Sequence, residues 1–303
     1  LLFGEAGVGK TTLGNIAAHV LGAETKTITG GVLTNELDLF SLLFELWDFQ
    51  RQGKETVLLI DEIHAIARGG SLPLEVWLPL LEDGKFFHSL KGKVLAHNRC
   101  SELAEPHQHV IQEDLLMLNP FTVVGMTTDP ADLNDPIRDR FPLSIKLEPY
   151  TLDELTRVIQ LHAEHRFKLP IDAEIAKALA ARARGNPRRG INLLRESYDR
   201  SVVDEAPLSV ALITEQMKLL GIEDDGMTQD DLKYLQTLAK HEKGLSIGGM
   251  ASVLQIKRQT LEQMLEPFLK HREYVTVTNR RHITEEGKTY LDRRGLLPKN
   301  RTT

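Results

Sequence analysis

Leu1-Leu2-Phe3-Gly4-Glu5-Ala6-Gly7-Val8-Gly9-Lys10-Thr11-Thr12-Leu13 opens the chain and decides how the rest is read. Gly4 to Thr11 fills every fixed position of the phosphate-binding loop, G-x-x-x-x-G-K-[ST]. An apolar run leads into it and a helical pattern leads out. Glycines let successive backbone N–H groups turn inward around a phosphate with no Cβ in the way. The helix from about Lys10 points its positive end at the same anion. Lys10 can reach the β- and γ-phosphates, and Thr11 can place its hydroxyl on Mg²⁺. Gly4, Gly9, Lys10 and Thr11 therefore predict a nucleotide site.

Thr56-Val57-Leu58-Leu59-Ile60 and Phe121-Thr122-Val123-Val124-Gly125 are short apolar runs bounded by polar or turn residues. Strands buried on both faces of a parallel sheet read this way. Lys26–Thr29 and Ser144–Leu147 are weaker strand candidates. Helical patterns between them predict an α/β domain over residues 1–149. Asp61 and Glu62 end the second apolar run. A carboxylate there can hold Mg²⁺, and its neighbour can polarise an attacking water as general base. With the loop, this pair points to hydrolysis of ATP or GTP. Thr127-Thr128 follow the third run and could orient that water or read the γ-phosphate. Arg138 or Arg140 could reach a neighbouring subunit's γ-phosphate and stabilise transition-state charge. Arg188 could reach the nucleotide from a second domain.

The pattern changes after Pro149-Tyr150. Thr151-Leu152-Asp153-Glu154 has the form of a capping box. Helical periodicity runs to about Gly221, broken at Gly185-Asn186-Pro187, which predicts a small helical lid over 150–221. Glu223-Asp224-Asp225-Gly226 reads as a polar hinge. Beyond it, Asp230–Lys240, Ser246–Leu254 and Arg258–Lys270 read as three helices. Tyr274–Thr278, Asn279-Arg280-Arg281 and His282–Thr284 follow as strand, basic turn and strand. Three helices and a hairpin predict a winged helix over 222–303.

Composition removes several classes. The 303 residues carry one cysteine, Cys100, so an internal disulfide framework is excluded. No apolar run reaches the ~18–20 residues of a membrane helix. These features predict a soluble, cytoplasmic protein with no membrane partner. The net charge of −6 is unevenly spread. Residues 1–227 hold 23 Lys and Arg against 34 Asp and Glu, a net −11, whereas 228–303 hold 14 against 9, a net +5. A basic end on an acidic body suits a polyanion.

The chain resembles the RuvB branch-migration motors of the AAA+ class. The resemblance rests on Leu2-Phe3-Gly4 with Gly7-Val8-Gly9-Lys10-Thr11-Thr12-Leu13, on Asp61-Glu62-Ile63-His64, and on Pro120–Thr128. It continues through Pro136-Ile137-Arg138-Asp139-Arg140-Phe141, Tyr150-Thr151, Arg184-Gly185-Asn186-Pro187-Arg188 and Leu261–Leu269. The last run, around Glu266-Pro267, lies outside the ATPase core that many families share. The resemblance implies that Gly7, Lys10, Thr11 and Thr12 contact ATP, with Glu82 and Asp83 at a further nucleotide-side position. It implies Thr128 as first sensor, Arg140 as trans-acting finger, Tyr150 beside the nucleotide, and Arg188 as second sensor. Arg280 and Arg281 would touch DNA phosphates from the wing tip. A homo-hexameric ring around double-stranded DNA is implied, acting at four-way junctions with a RuvA-like junction-binding protein and a RuvC-like resolvase.

The chain departs from the family pattern at four places. It begins at the first core strand, so a segment upstream that helps hold adenine is expected to be missing from this sequence. Glu5-Ala6 stand where the family commonly has two prolines, and Val277 and His282 where it tends to have arginines. The stretch between Glu62 and Thr127 is longer than usual, at the place of the family's RuvA-docking hairpin. That stretch holds His97, Cys100, His107 and His109, a spacing open to zinc; a polar hairpin with scattered histidines is the simpler reading. Two alternatives therefore stay open: a RuvB-like ATPase remodelling a different DNA or protein partner, and a non-hydrolysing nucleotide-dependent DNA-binding switch.

Overall fold

Five parallel strands order the first half of the chain: β1 (Leu2–Phe3), β2 (Glu24–Thr29), β3 (Thr56–Asp61), β6 (Thr122–Thr127) and β7 (Ile145–Lys146), arranged β2-β3-β6-β1-β7. In this computed structural model, residues 1–32, 36–67, 72–87, 115–128 and 130–298 are described. They form two compact units, Leu1–Pro149 and Tyr150–Thr303.

Alternation along β3 builds the first unit's core. Leu58 and Ile60 face one side, against Leu39, Phe40, Leu43 and Phe44 of α2 (Glu36–Arg51). Val57 and Leu59 face the other, with Met126 of β6 and Ala18 of α1 (Lys10–Val20). All four β3 side chains are at most 2% exposed. Each contributes about 1.5–3 kcal/mol by leaving water. Both tryptophans pack inward, Trp77 within the core and Trp47 against it. Next come α3 (His64–Ala67) and α4 (Leu74–Asp83). β4 (Lys85–Phe87) and β5 (Leu115–Met117) form an antiparallel pair, with Phe86 in the core and Phe87 exposed. They flank residues 88–114, so His97, Cys100, His107 and His109 lie outside the described residues. α5 (Asp135–Arg138), capped by Asn134, precedes β7.

The second unit starts with four helices: α6 (Leu152–His162), α7 (Ala173–Arg182), α8 (Pro187–Val203) and α9 (Val210–Leu219). Thr151 and Glu154 make the reciprocal capping box, which holds the Glu154 carboxyl below its ordinary pKa through the Thr151 backbone N–H and hydroxyl. Asn186 caps α8, and Pro187 takes its first position, where a missing N–H costs nothing. Leu155, Ile159, Leu179, Leu194, Ile213 and Met217 form their core.

A winged helix completes the unit. α10 (Gln229–Ala239) and α11 (Ile247–Leu254) precede α12 (Arg258–Thr260), a π turn over Leu261–Leu265, and α13 (Glu266–His271). β8 (Val275–Val277), β9 (Arg281–Ile283) and α14 (Glu285–Arg293) follow. The single helix expected over Arg258–Lys270 is thus interrupted. Pro267 has no N–H for the carbonyl one turn back, and its ring crowds that carbonyl. A widened π turn immediately before Glu266-Pro267 absorbs the misfit.

The expected hinge at 223–226 is instead a tied joint. Arg182 pairs with Asp224, and Arg294 with Glu223 at 2.9 Å and Asp225 at 3.3 Å. The Tyr290 hydroxyl donates to Asp225 at 2.7 Å. Burial and the Asp225 carboxylate raise the Tyr290 pKa above its ordinary value. A Cβ on Gly226, at φ +85°, would sit 3.1 Å from the Arg182 carbonyl oxygen.

Candidate functional site

Three neighbouring strands bring the conspicuous residues of the first unit to one level. Phe3 pairs with Thr127, and Ile60 with Gly125, so Gly4, Asp61 and Thr127-Thr128 leave β1, β3 and β6 together. Carboxyl ends of parallel strands are where open α/β sheets take their ligands.

The loop between β1 and α1 needs its glycines. Gly9 has φ +101°, and Gly4 has φ +146° with space for no side chain, since a Cβ would lie 2.5 Å from the Leu147 carbonyl oxygen. Gly7 also has positive φ. No side chain caps the N-terminus of α1, so its positive end is left for an anion. Lys10 is 8% exposed, and its ammonium donates to the Gly4 and Glu5 carbonyls at 2.7 and 2.8 Å. The Lys10 head therefore lies over the loop.

The Thr11 hydroxyl donates to Asp61 Oδ2 at 3.1 Å, joining the loop to β3. A hydroxyl and a carboxylate are hard oxygen donors of the kind Mg²⁺ takes. The Asp61 Oδ1 accepts from the Glu62 backbone N–H at 3.0 Å. Glu62 is exposed and held at φ +50°, a left-handed conformation uncommon outside glycine. Thr12 and Thr128 are also exposed. His64 Nδ1 lies 3.1 Å from the Thr127 hydroxyl, tying the segment after Glu62 to the strand before Thr128. The sequence offered His64 only as part of a motif and gave no partner for it.

Arg140 is not free. Its guanidinium donates to Glu82 Oε2 at 2.6 Å and to the Pro136 carbonyl at 3.2 Å. Arg138 donates to the Leu133 carbonyl at 2.7 Å and pairs with Asp135 at 3.3 Å. Asp83 pairs with Lys85 at 2.8 Å. Glu82 and Asp83 thus each hold a protein cation. Tyr150 and Arg188 belong to the second unit, where the Tyr150 N–H donates to the Gly185 carbonyl at 2.8 Å and Arg188 is exposed.

The wing corrects one expectation. Arg280 is exposed at the tip, but Arg281 is 7% exposed and faces inward. It belongs to β9 rather than to the turn, and strand alternation sends it to the same side as Ile283. Its Nε donates to Glu266 Oε1 at 3.0 Å, and its Nη2 to Glu262 Oε1 and Glu266 Oε2, both at 3.4 Å. The Tyr234 hydroxyl also donates to Glu266 Oε1, at 3.0 Å. Arg281 is a structural cation, and Arg280 is the exposed member of the pair.

Among the described residues, no group of three or more His, Cys, Asp or Glu side chains is placed to hold a metal ion, and no helix is long and apolar enough to cross a membrane. Residues 1–149 match the family described as ATPase family associated with various cellular activities (AAA), and residues 224–292 match the RuvB C-terminal winged helix domain. The Holliday junction branch migration complex subunit RuvB of Kosmotoga olearia is 33% identical over 295 residues, which is 96% of this chain and 79% of that protein. The RuvB of Mesomycoplasma hyopneumoniae is 30% identical, with 96% and 85% covered. Among solved structures, the Thermotoga maritima RuvB Holliday junction branch migration motor superposes with a TM-score of 0.69 at 28% identity, over 96% of this chain and 86% of that one. A phosphate-binding loop on a parallel sheet, a winged helix and relatives of this extent lead to one conclusion: the chain is an AAA ATPase and belongs to the RuvB family.

Proposed function

We propose that this ATPase is a motor on double-stranded DNA that drives branch migration of four-way junctions in recombination and repair. The observation that carries the reading is the Thr11–Asp61 contact of 3.1 Å, which sets a phosphate-loop hydroxyl against the carboxylate of the adjoining strand end. Gly4, Gly7, Gly9 and Thr12 shape the phosphate cradle, and Lys10 neutralises the β- and γ-phosphates. Thr11 and Asp61 would hold a magnesium ion, which would supply charge neutralisation on those phosphates. Glu62 takes the proton of the attacking water, and Thr128 orients that water. Glu82, Asp83, Tyr150 and Arg188 complete the nucleotide's surroundings.

Arg140 of one subunit serves the site of the next, so turnover needs a ring, which by family likeness is a hexamer. Its pairing with Glu82 holds the guanidinium until that site is built. Residues 1–149, 150–221 and 222–303 act as ATPase domain, lid and DNA-binding domain. Arg280 touches the duplex backbone. A RuvA-type protein recruits the ring to junctions, a RuvC-type nuclease resolves them, and the work is done in the cytoplasm.

Steady-state ATP turnover of the full-length protein tests the chemistry. Glu62→Gln is expected to lower kcat by ~10²–10⁴-fold with nucleotide affinity kept, as for loss of a general base. Full turnover in Glu62→Gln would refute the assignment. A protein that binds ATP but never hydrolyses it, with any DNA, would be a switch and not a motor.

A further inference from the structure

Residues 184–188 connect three things within the second unit. The Arg184 guanidinium pairs with Asp231, its Nε donates to the Gly226 carbonyl at 2.8 Å, and it lies 4.2 Å over the Phe268 ring. All three partners belong to the joint or to the winged helix. One residue on, the Gly185 carbonyl accepts the Tyr150 N–H at 2.8 Å. Asn186 and Pro187 then start α8, whose first turn carries Arg188.

The Asp231 side of this contact is fully buried, at 0% exposure. Asp231 also accepts from the Thr228 N–H and hydroxyl at 2.7 and 2.6 Å, so the carboxylate that receives Arg184 is the one that caps α10. Arg184 itself sits at φ +58°, a conformation that side-chain-bearing residues rarely take. An apolar seam would hold two packed bodies as firmly as a buried ion pair does. A planar fork gripping a carboxylate, a carbonyl and a ring adds something else, a fixed orientation.

We propose that Arg184 is a positioning residue that ties the orientation of the winged helix to the nucleotide state felt at Arg188. DNA engagement and ATP turnover then communicate through the five residues 184–188. This rests on the reading of Arg188 as a nucleotide contact.

The test compares ATP turnover of full-length wild type, Arg184→Asn, Arg184→Lys and Arg188→Ala, each with and without duplex DNA. Asparagine tolerates the left-handed backbone, and Asp231 keeps the Thr228 N–H and hydroxyl as donors, so Arg184→Asn removes the fork and spares the turn and the cap. Arg184→Asn is expected to keep DNA-independent turnover and nucleotide-free DNA affinity within ~2-fold and to lose ~5-fold or more of the DNA stimulation, the range of an allosteric coupling. Arg184→Lys, which keeps the charge, is expected to recover part of it. An undiminished stimulation in Arg184→Asn overturns the proposal. So does an equal fall in basal and stimulated rates, which marks a merely structural residue, or a wild type with no stimulation to transmit. Arg188→Ala separates the two readings. If it hydrolyses ATP normally, the nucleotide-site reading fails; if it is inactive while Arg184→Asn is fully stimulated, only the coupling fails.

Discussion

Removing Glu266 alone should cost far more stability than removing both Glu266 and Arg281. The two side chains are 5% and 8% exposed and 3.0 Å apart. At that separation and an effective dielectric near 20, the gross attraction is about 5 kcal/mol. Burial of both charges offsets much of it, so the pair's net worth is small. Glu266→Ala, however, leaves buried Arg281 with only the solvent-exposed Glu262 at 3.4 Å, and breaking one side of a buried pair costs about 3–5 kcal/mol. Tyr234 loses its acceptor in the same change, at about 1 kcal/mol more. The double variant Glu266→Leu with Arg281→Met should fall within about 2 kcal/mol of wild type, because no buried charge is left unpaired. Urea unfolding reads this directly. Both tryptophans, Trp47 and Trp77, lie in the first unit and all five tyrosines in the second. Tyrosine near-ultraviolet circular dichroism therefore follows the affected unit, and tryptophan fluorescence provides an internal control. A Glu266→Ala transition unshifted in the tyrosine signal would refute the buried-pair argument. So would a double variant as unstable as the single one.

Other consequences follow from the same geometry. The salt dependence of duplex binding should separate the two wing arginines: Arg280→Ala is expected to lower the slope of log K against log salt by about 0.9, with stability unchanged. Arg281→Met should leave that slope alone while destabilising the fold. Gly4→Ala places a methyl group 2.5 Å from the Leu147 carbonyl oxygen, so isothermal titration should find nucleotide affinity reduced at least ~10-fold, about 1.4 kcal/mol. The raised pKa of Tyr290 favours the protonated phenol in the folded state. Its contribution is fully present below the ordinary phenol range and is lost as pH rises from that range toward the raised pKa of the folded state. Melting temperature followed from neutral to alkaline pH should therefore fall less steeply in Tyr290→Phe than in wild type.

Local chemistry made much of this protein legible. The apolar runs at 56–60 and 121–125 became β3 and β6, the weaker candidates became β2 and β7, and the loop glycines have the positive φ their pattern demanded. The capping box at Thr151–Glu154 and the Asn186-Pro187 helix start formed as read. These signals involve residues within a few positions of one another. What was missed depends on partners distant in sequence. Arg281 reads as a tip residue until the strand register turns it toward Glu266, fifteen positions away. The charges at 223–226 read as a hinge until Arg182, Tyr290 and Arg294 are seen to engage them. The Arg140–Glu82 pair spans 58 positions, and periodicity carries no trace of it. The π turn at Leu261–Leu265 had a local sign in Pro267, but one proline predicts a disturbance and not its form.

A branch-migration motor must use ATP hydrolysis to move junction DNA. The direct measurement is dissociation of a synthetic four-way junction with homologous arms by the full-length protein, with ATP, Mg²⁺ and a RuvA-type partner, beside Glu62→Gln and Arg140→Ala. Strand exchange at the junction is expected to need ATP and the partner and to be lost in both variants. Robust ATP turnover with no movement of the junction would contradict it, and so would junction movement that persists in Glu62→Gln.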